Sequence, residues 1–169
     1  SEANGCGDIR QDEDGEFGSM SVVVRMACMD DLTEMIELER GVGEAPHWSE
    51  EAYAEIVRGD GVRRCLFVAE LDGGVVGFTV GKVVAGLAEL ESVAVRADVR
   101  RSGVGRKLSE AMIQWSRREH SEAVELEVRA KSVGAIALYV TLGFVEVGRR
   151  RAYYREPNDD AVLMRLELV

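Results

Sequence analysis

A chain of 169 residues, 46% hydrophobic and 31% charged, suits one globular domain with a sizeable apolar core. Its net charge of −10, from 21 basic and 31 acidic residues, argues against general nucleic-acid binding, which wants a basic face. No apolar run reaches the ~18 residues needed to span a bilayer and no signal peptide is visible, so no membrane partner is expected.

Residues 1–19 hold Glu2, Asp8, Asp12, Glu13, Asp14 and Glu16 against Arg10, a net of −5, which leaves −5 for the body. Almost free of large apolar side chains, they read as a tail. Glu16-Phe17-Gly18-Ser19 looks like a translated cloning junction before a natural start at Met20, so the domain is taken as residues 20–169. Val22–Met26 is a first strand. Asp30 or Asp31 then caps a helix whose Leu32, Met35, Ile36 and Leu38 recur at helical spacing. A Gly/Pro loop from Gly41 to Pro46 leads to Ser49, which opens a short helix to about Arg58. Leu66–Ala69 and Val75–Val80 flank Asp72-Gly73-Gly74, a hairpin signal. Leu87–Val95 is the next strand. Val104 to about Glu119 is a helix with Leu108, Ala111, Met112 and Trp115 on one face. Val124–Val128 reads as strand, Val133–Leu142 as helix, Phe144–Gly148 as strand, and Val162–Leu168 as the last strand. Helix–strand alternation from residue 87 onward predicts parallel pairing in that half, and the hairpin predicts antiparallel pairing in the other. The fold class is α/β: one domain with a mixed central sheet flanked by helices.

Cys6, Cys28 and Cys65 are odd in number and widely spaced with no C-x-x-C, as expected of reduced thiols in a cytoplasmic protein. With His47 and His120 the sole histidines, no metal is expected.

The most informative run is Val99-Arg100-Arg101-Ser102-Gly103-Val104-Gly105-Arg106-Lys107-Leu108, where a strand leads through a glycine loop into a helix. Backbone N–H groups there, with the positive end of the helix dipole, form a cradle for phosphates. A P-loop is excluded because no Gly-Lys-Ser/Thr occurs, and a dinucleotide fingerprint because Leu108 stands where the third glycine belongs. Arg100-x-x-Gly103-x-Gly105 remains, either as a pyrophosphate site or as a basic turn without a ligand. Glu125, Glu127 and Arg129 alternate onto one face of their strand. Glu127 there is a solvated side chain, a partner for Arg129, or a base, and Tyr139 is a core aromatic or a proton donor.

The glycine loop, with Leu126-Glu127-Val128-Arg129-Ala130, Ala135-Ile136-Ala137-Leu138-Tyr139 and Leu142-Gly143-Phe144, resembles the GNAT superfamily of N-acetyltransferases over roughly Val22–Leu168. Within it, the likeness is to the RimI-type enzymes, which acetylate the N-terminal amine of a ribosomal protein. The resemblance implies a splayed pair of parallel strands, ending near Val95 and Val128, that holds the cofactor acetyl-CoA. It implies that the backbone of Val93, Ala94 and Val95 meets pantetheine and the carbonyl oxyanion. It also implies that Arg100, Arg101, Ser102, Gly103, Val104, Gly105 and Arg106 take the pyrophosphate. Glu127 matches the general base and Tyr139 the general acid, with Glu91 and Glu89 as rival bases.

The acceptor expected is a protein or peptide N-terminus, attacked directly and without a covalent enzyme intermediate, since Cys28 and Cys65 have no recognisable His partner. An α-amine with a reference pKa near 8 is neutral in roughly a tenth of molecules at neutral pH, whereas a lysine is neutral in about one in a thousand. An N-terminal acceptor therefore needs only a modest base. A small-molecule amine such as a polyamine or antibiotic is the rival acceptor, and a non-catalytic acyl-CoA-binding module the rival class. Lys131-Ser132 departs from the usual Ser-Asn, so Ser132 meets the cofactor through water or caps the helix. Glu44-Ala45-Pro46-His47-Trp48 departs from the usual Phe-Pro-Trp type, which weakens the acceptor assignment. Tyr153 and Tyr154 are strand-edge aromatics or a wall for the acceptor peptide, and Asp159 and Asp160 are a solvated turn or meet a cationic residue.

Overall fold

The computed structural model describes residues 21–42 and 47–169, so the expected tail with Cys6, the start at Met20 and the Glu44–Pro46 part of the early loop lie outside the described residues. Seven strands form one mixed sheet: β1 (Val22–Met26), β2 (Arg64–Leu71), β3 (Gly74–Val84), β4 (Leu87–Val95), β5 (Ala123–Arg129), β6 (Val145–Tyr154) and β7 (Asp159–Glu167). Four helices accompany them: α1 (Leu32–Arg40), α2 (Glu50–Arg58), α3 (Val104–Arg118) and α4 (Val133–Thr141). The strand order is β1-β2-β3-β4-β5-β7-β6.

Local chemistry accounts for most boundaries. Ser49 Oγ accepts the Ala52 N–H at 3.1 Å and starts α2, while Gly59 at φ 78° ends it. Asp72 and Gly73 both take positive φ, as a two-residue hairpin turn requires. A second such turn, Ala85-Gly86, joins β3 to β4. The expected cap at Asp31 is replaced by other bonds. Its carboxylate holds both terminal nitrogens of Arg25 at 2.8 Å and accepts the Cys28 N–H, so no side chain caps α1.

The parallel half is smaller than alternation predicts. β4 and β5 pair parallel, but β7 enters between β5 and β6 and runs antiparallel to both. The reason is the short β6–β7 connection, which can only make a hairpin. β6 also extends well beyond Gly148, through Arg149–Tyr154; its exposed arginines hid it from an apolar pattern.

Each face of the sheet has its own core. Leu108, Met112 and Trp115 of α3 pack with Val124, Leu126, Tyr139 and Phe144 on one side. Met35, Ile36 and Tyr53 of α1 and α2 pack with Phe78, Val80 and Ala94 on the other. Gly77 lets α3 approach the sheet: a Cβ there would stand 2.9 Å from Ala94 O and 3.0 Å from Leu108 Cδ1.

Candidate active site

The site begins where the sheet stops being continuous. β4 pairs with β5 at Leu87–Ala123, Ala88–Val124 and Glu89–Glu125 and no further, while β5 continues along β7 to Arg129. The two strands therefore diverge beyond Glu89 and Glu125. That opening is the expected splayed pair, and Val93, Ala94 and Val95 line its β4 side.

A β-bulge at Glu91 coincides with the divergence, because Val80 pairs with Ser92 and Gly81 with Leu90. An extra residue reverses which face the following side chains meet. Ala88 and Leu90 pack on the α3 side, whereas after the bulge Val93 and Val95 lie on that side and Ala94 joins the α1/α2 core. Simple alternation along β4 misses this switch. The separation in the register, Glu91 unpaired between two paired residues, is a tertiary feature.

The glycine loop stands at the end of β4. Arg101 (φ 64°) and Gly103 (φ 86°) are left-handed, and Gly103 occupies the position before the first turn of α3 without any side-chain cap. Ser102 Oγ donates to Val99 O, which folds the loop back on itself. Arg100 Nε reaches Val95 O at 3.3 Å, and Arg106 pairs with Glu110 at 2.9 Å. Arg100, Arg101, Arg106 and Lys107 are all exposed. An uncapped helix start with two left-handed residues and exposed cations is chemically suited to a pyrophosphate. A Cβ on Gly105 would lie 3.5 Å from Leu138 Cδ2 and 3.8 Å from Val95 Cγ2, so the first turn of α3 sits between β4 and α4.

Tyr139 enters from α4 on this same side. It is 7% exposed, set edge-on to Phe144 at 5.7 Å, and burial pushes its phenol up to about 12. Ser132 takes the position before α4, yet its side chain makes no cap bond to the helix.

Glu127 lies on the other face. Leu126 is buried beside Tyr139, so its neighbour Glu127 points to the α1/α2 side and is exposed. Its ion partner is Arg150 Nε at 3.5 Å, not the Arg129 that sequence suggests. Arg129 instead stacks over the Tyr154 ring at 4.1 Å, and Tyr153 lies edge-on to Tyr154 at 5.2 Å. Burial raises the Tyr154 phenol, and the Glu127 charge adds to that. Tyr154 thus lies near Glu127, and Tyr153 lies beside its ion partner Arg150, a juxtaposition created by β6, β7 and β5 meeting.

The rival carboxylates are differently placed. Glu91, with an 8% exposed side chain, accepts Arg64 Nε at 3.1 Å and lies 3.5 Å from Lys82 Nζ; Glu89 lies 3.3 Å from that same lysine. Asp159 and Asp160 bind backbone: Asp159 accepts the Lys131 N–H at 3.0 Å and Asp160 the Ala152 N–H at 2.8 Å. Asp159 ties the hairpin to the β5–α4 connection, and Asp160 joins the two strands of the hairpin itself. Cys65 is buried and Cys28 half-buried, and neither is in a disulfide; burial pushes the Cys65 thiol up to about 12, opposite to an activated nucleophile. No cluster of metal-ligating side chains occurs among the described residues.

The split sheet and uncapped loop coincide with a match of residues 29–144 to the acetyltransferase (GNAT) family. The chain belongs to the GNAT acetyltransferase family. Over 140 residues it is 35% identical to the [ribosomal protein bS18]-alanine N-acetyltransferase of Escherichia coli (strain K12), covering 82% of this chain and 92% of that protein. It is 38% identical over 112 residues to an N-alpha-acetyltransferase of Sulfurisphaera tokodaii, covering 59% of this chain and 66% of that one. The crystal structure of the ribosomal-protein-S18-alanine N-acetyltransferase from Escherichia coli superposes with a TM-score of 0.76 at 33% identity, over 88% of this chain and 94% of that one. As a GNAT enzyme the chain is an N-acetyltransferase that takes its acetyl group from acetyl-CoA. No described helix is long and apolar enough to cross a membrane.

Proposed function

We propose that this GNAT enzyme acetylates the N-terminal α-amine of a protein, with an alanine-starting ribosomal protein as the acceptor class its relatives suggest. The observation that carries the reading is the placement of Glu127 and Tyr139 on opposite faces of one opening. An acceptor amine arriving from the α1/α2 side meets an exposed carboxylate, and a buried phenol waits on the α3/α4 side. Glu91 is nearly buried between Arg64 and Lys82, and Glu89 lies where β4 and β5 are still paired, whereas Glu127 is exposed beyond the divergence beside Arg150; this favours Glu127 as base.

Each residue then has a task. N–H groups of the first turn of α3 after Gly103, with Arg100, Arg101 and Arg106, bind pyrophosphate. When bound, the thioester of acetyl-CoA supplies the acetyl group. Backbone N–H groups along Val93–Val95, released from β5, stabilise negative charge on the carbonyl oxygen. Glu127, directly or through water, accepts the proton that the amine loses as its nitrogen bonds to the carbonyl carbon. Tyr139 donates its O–H proton to the departing sulfur as the C–S bond breaks, leaving an amide and a free thiol. With its phenol near 12, transfer to a thiolate near 8.5 is uphill by on the order of 5 kcal/mol, so it must accompany bond cleavage. Burial keeps the proton in place until then.

Acetyl-CoA and newly made ribosomal proteins share the cytoplasm, where this reading places the enzyme. The test is thiol release from acetyl-CoA against peptides beginning with Ala, Ser or Met, the same peptides N-terminally blocked but carrying lysine, and polyamines. Turnover confined to free N-termini, highest for Ala, is expected. Turnover confined to polyamines would move the acceptor to small amines, and silence across the panel would favour an acyl-CoA-binding module.

A further inference from the structure

On the acceptor side of the sheet, one buried carboxylate has no part in the chemistry above. Glu39, at the end of α1, is 2% exposed and sits in the apolar α1/α2 core. Its Oε2 accepts the Tyr53 hydroxyl, and its Oε1 lies 3.6 Å from His47 Nδ1. Its backbone carbonyl accepts the Val42 N–H at 3.0 Å. One glutamate thereby holds both Val42 and His47, the residues that flank positions 43–46.

This anchor is joined to the opening. Tyr53 contacts Trp48 at 5.6 Å between ring centroids and Phe78 edge-on at 5.8 Å. Phe78 is the direct strand partner of Ala94, in the Val93–Val95 stretch that lines the split. From Glu39 to the split is therefore a run of two rings. Stability alone gives little reason for a carboxylate here, because apolar side chains of similar volume usually serve a core as well as a buried polar group and its partners do. His47 is also held at φ 53°, a left-handed conformation unfavourable for a residue with a Cβ, and is half-exposed. Strain of this kind persists where surrounding contacts impose it and gathers near ligand-binding segments.

We propose that Glu39 is a positioning residue for the acceptor: with His47 and Tyr53 it sets the acceptor-side wall of the split and so governs acceptor affinity. The role rests on the reading that the amine enters from the α1/α2 side, beside Glu127. It concerns acceptor binding and leaves acetyl-CoA binding and proton transfer to the residues already named.

Glu39→Gln keeps the side-chain shape and an oxygen for Tyr53 while removing the charge that faces His47. His47→Asn keeps a residue tolerant of left-handed backbone and removes the imidazole. Both variants and their double would be assayed with whichever amine the wild type turns over, reading kcat and the two KM values separately. The expected result is an acceptor KM raised about fivefold or more in each, with kcat and the acetyl-CoA KM within about twofold. The double variant should be no worse than the weaker single, since both changes remove one interaction. An unchanged acceptor KM, with or without a lower melting temperature, would overturn the role, as would both KM values rising together. Should the productive amine prove to be a polyamine, the N-terminal reading falls, while the acceptor-KM split still decides for or against Glu39.

Discussion

The α3/α4 face and the α1/α2 face of the split sheet offer different chemistry. Toward α3 the groups on offer are backbone N–H, a left-handed turn and a buried phenol among apolar side chains. Toward α1 and α2 they are side chains: the ion pairs Arg64–Glu91, Lys82–Glu89 and Arg150–Glu127, and the His47–Glu39 contact. A backbone cradle depends on chain path and tolerates many side chains, so it suits a cofactor shared by a whole family. A side-chain wall depends on each residue, so it suits an acceptor that differs between members.

The largest expected effect tests the α3/α4 face. Tyr139→Phe should lower kcat at least about tenfold and leave the acetyl-CoA KM within about twofold, because in the proposed mechanism the hydroxyl acts only as the C–S bond breaks. Steady-state thiol release measures both, and unchanged kcat would remove Tyr139 as the acid. Since burial raises its phenol to about 12, the wild-type rate should show no loss from phenol ionisation up to about pH 10.

A contrast between two carboxylates sharpens the other face. Glu127→Gln is expected to reduce kcat about tenfold or more with little change in melting temperature, its carboxylate being exposed and only 3.5 Å from Arg150. Glu91→Gln leaves Arg64 and Lys82 without their shared partner, so it should lower thermal stability more than turnover. If the two variants exchange these phenotypes, Glu91 is the base.

A smaller effect separates the faces by substrate. Gly103→Ala places a Cβ on a φ of 86°, at a penalty of about 1–2 kcal/mol that the loop must absorb. It should raise the acetyl-CoA KM severalfold and leave the acceptor KM alone, the reverse of the pattern expected for Glu39→Gln.

The last expected change is in stability and leaves turnover alone. Burial would raise the Asp31 carboxyl, but the Arg25 guanidinium and the Cys28 N–H outweigh it and hold it below the usual carboxylate range. A lowered folded pKa contributes stability that is complete above the ordinary carboxylate value and is lost as pH falls through the folded one. Asp31→Asn should therefore lower urea stability by about 2 kcal/mol at pH 7, and the gap from wild type should narrow below about pH 4. A gap that persists in acid would assign the effect to packing.

The linear chain determined the elements whose causes are local. Ser49 before α2, Asp72-Gly73 between β2 and β3, and the apolar stripe of α3 each act within a few residues, so spacing alone revealed them. The glycine loop was legible for the same reason, since its two left-handed residues and cations are contiguous. Arg149–Tyr154 could not be read as strand, because the edge strand β6 takes its shape from pairing with β7 rather than from its own apolar pattern. Neither could the Glu91 bulge, the end of β4–β5 pairing after three residue pairs, nor the partner of Glu127, all of which arise from strands far apart in sequence. Only tertiary structure tied Glu39 to both Val42 and His47, because a buried carboxylate's partners are set by which helix ends the core brings together. Residue identity thus decided what chemistry is possible here, and the divergence of β4 from β5 decided where the sheet opens: a backbone edge without its strand partner is free to hold a ligand.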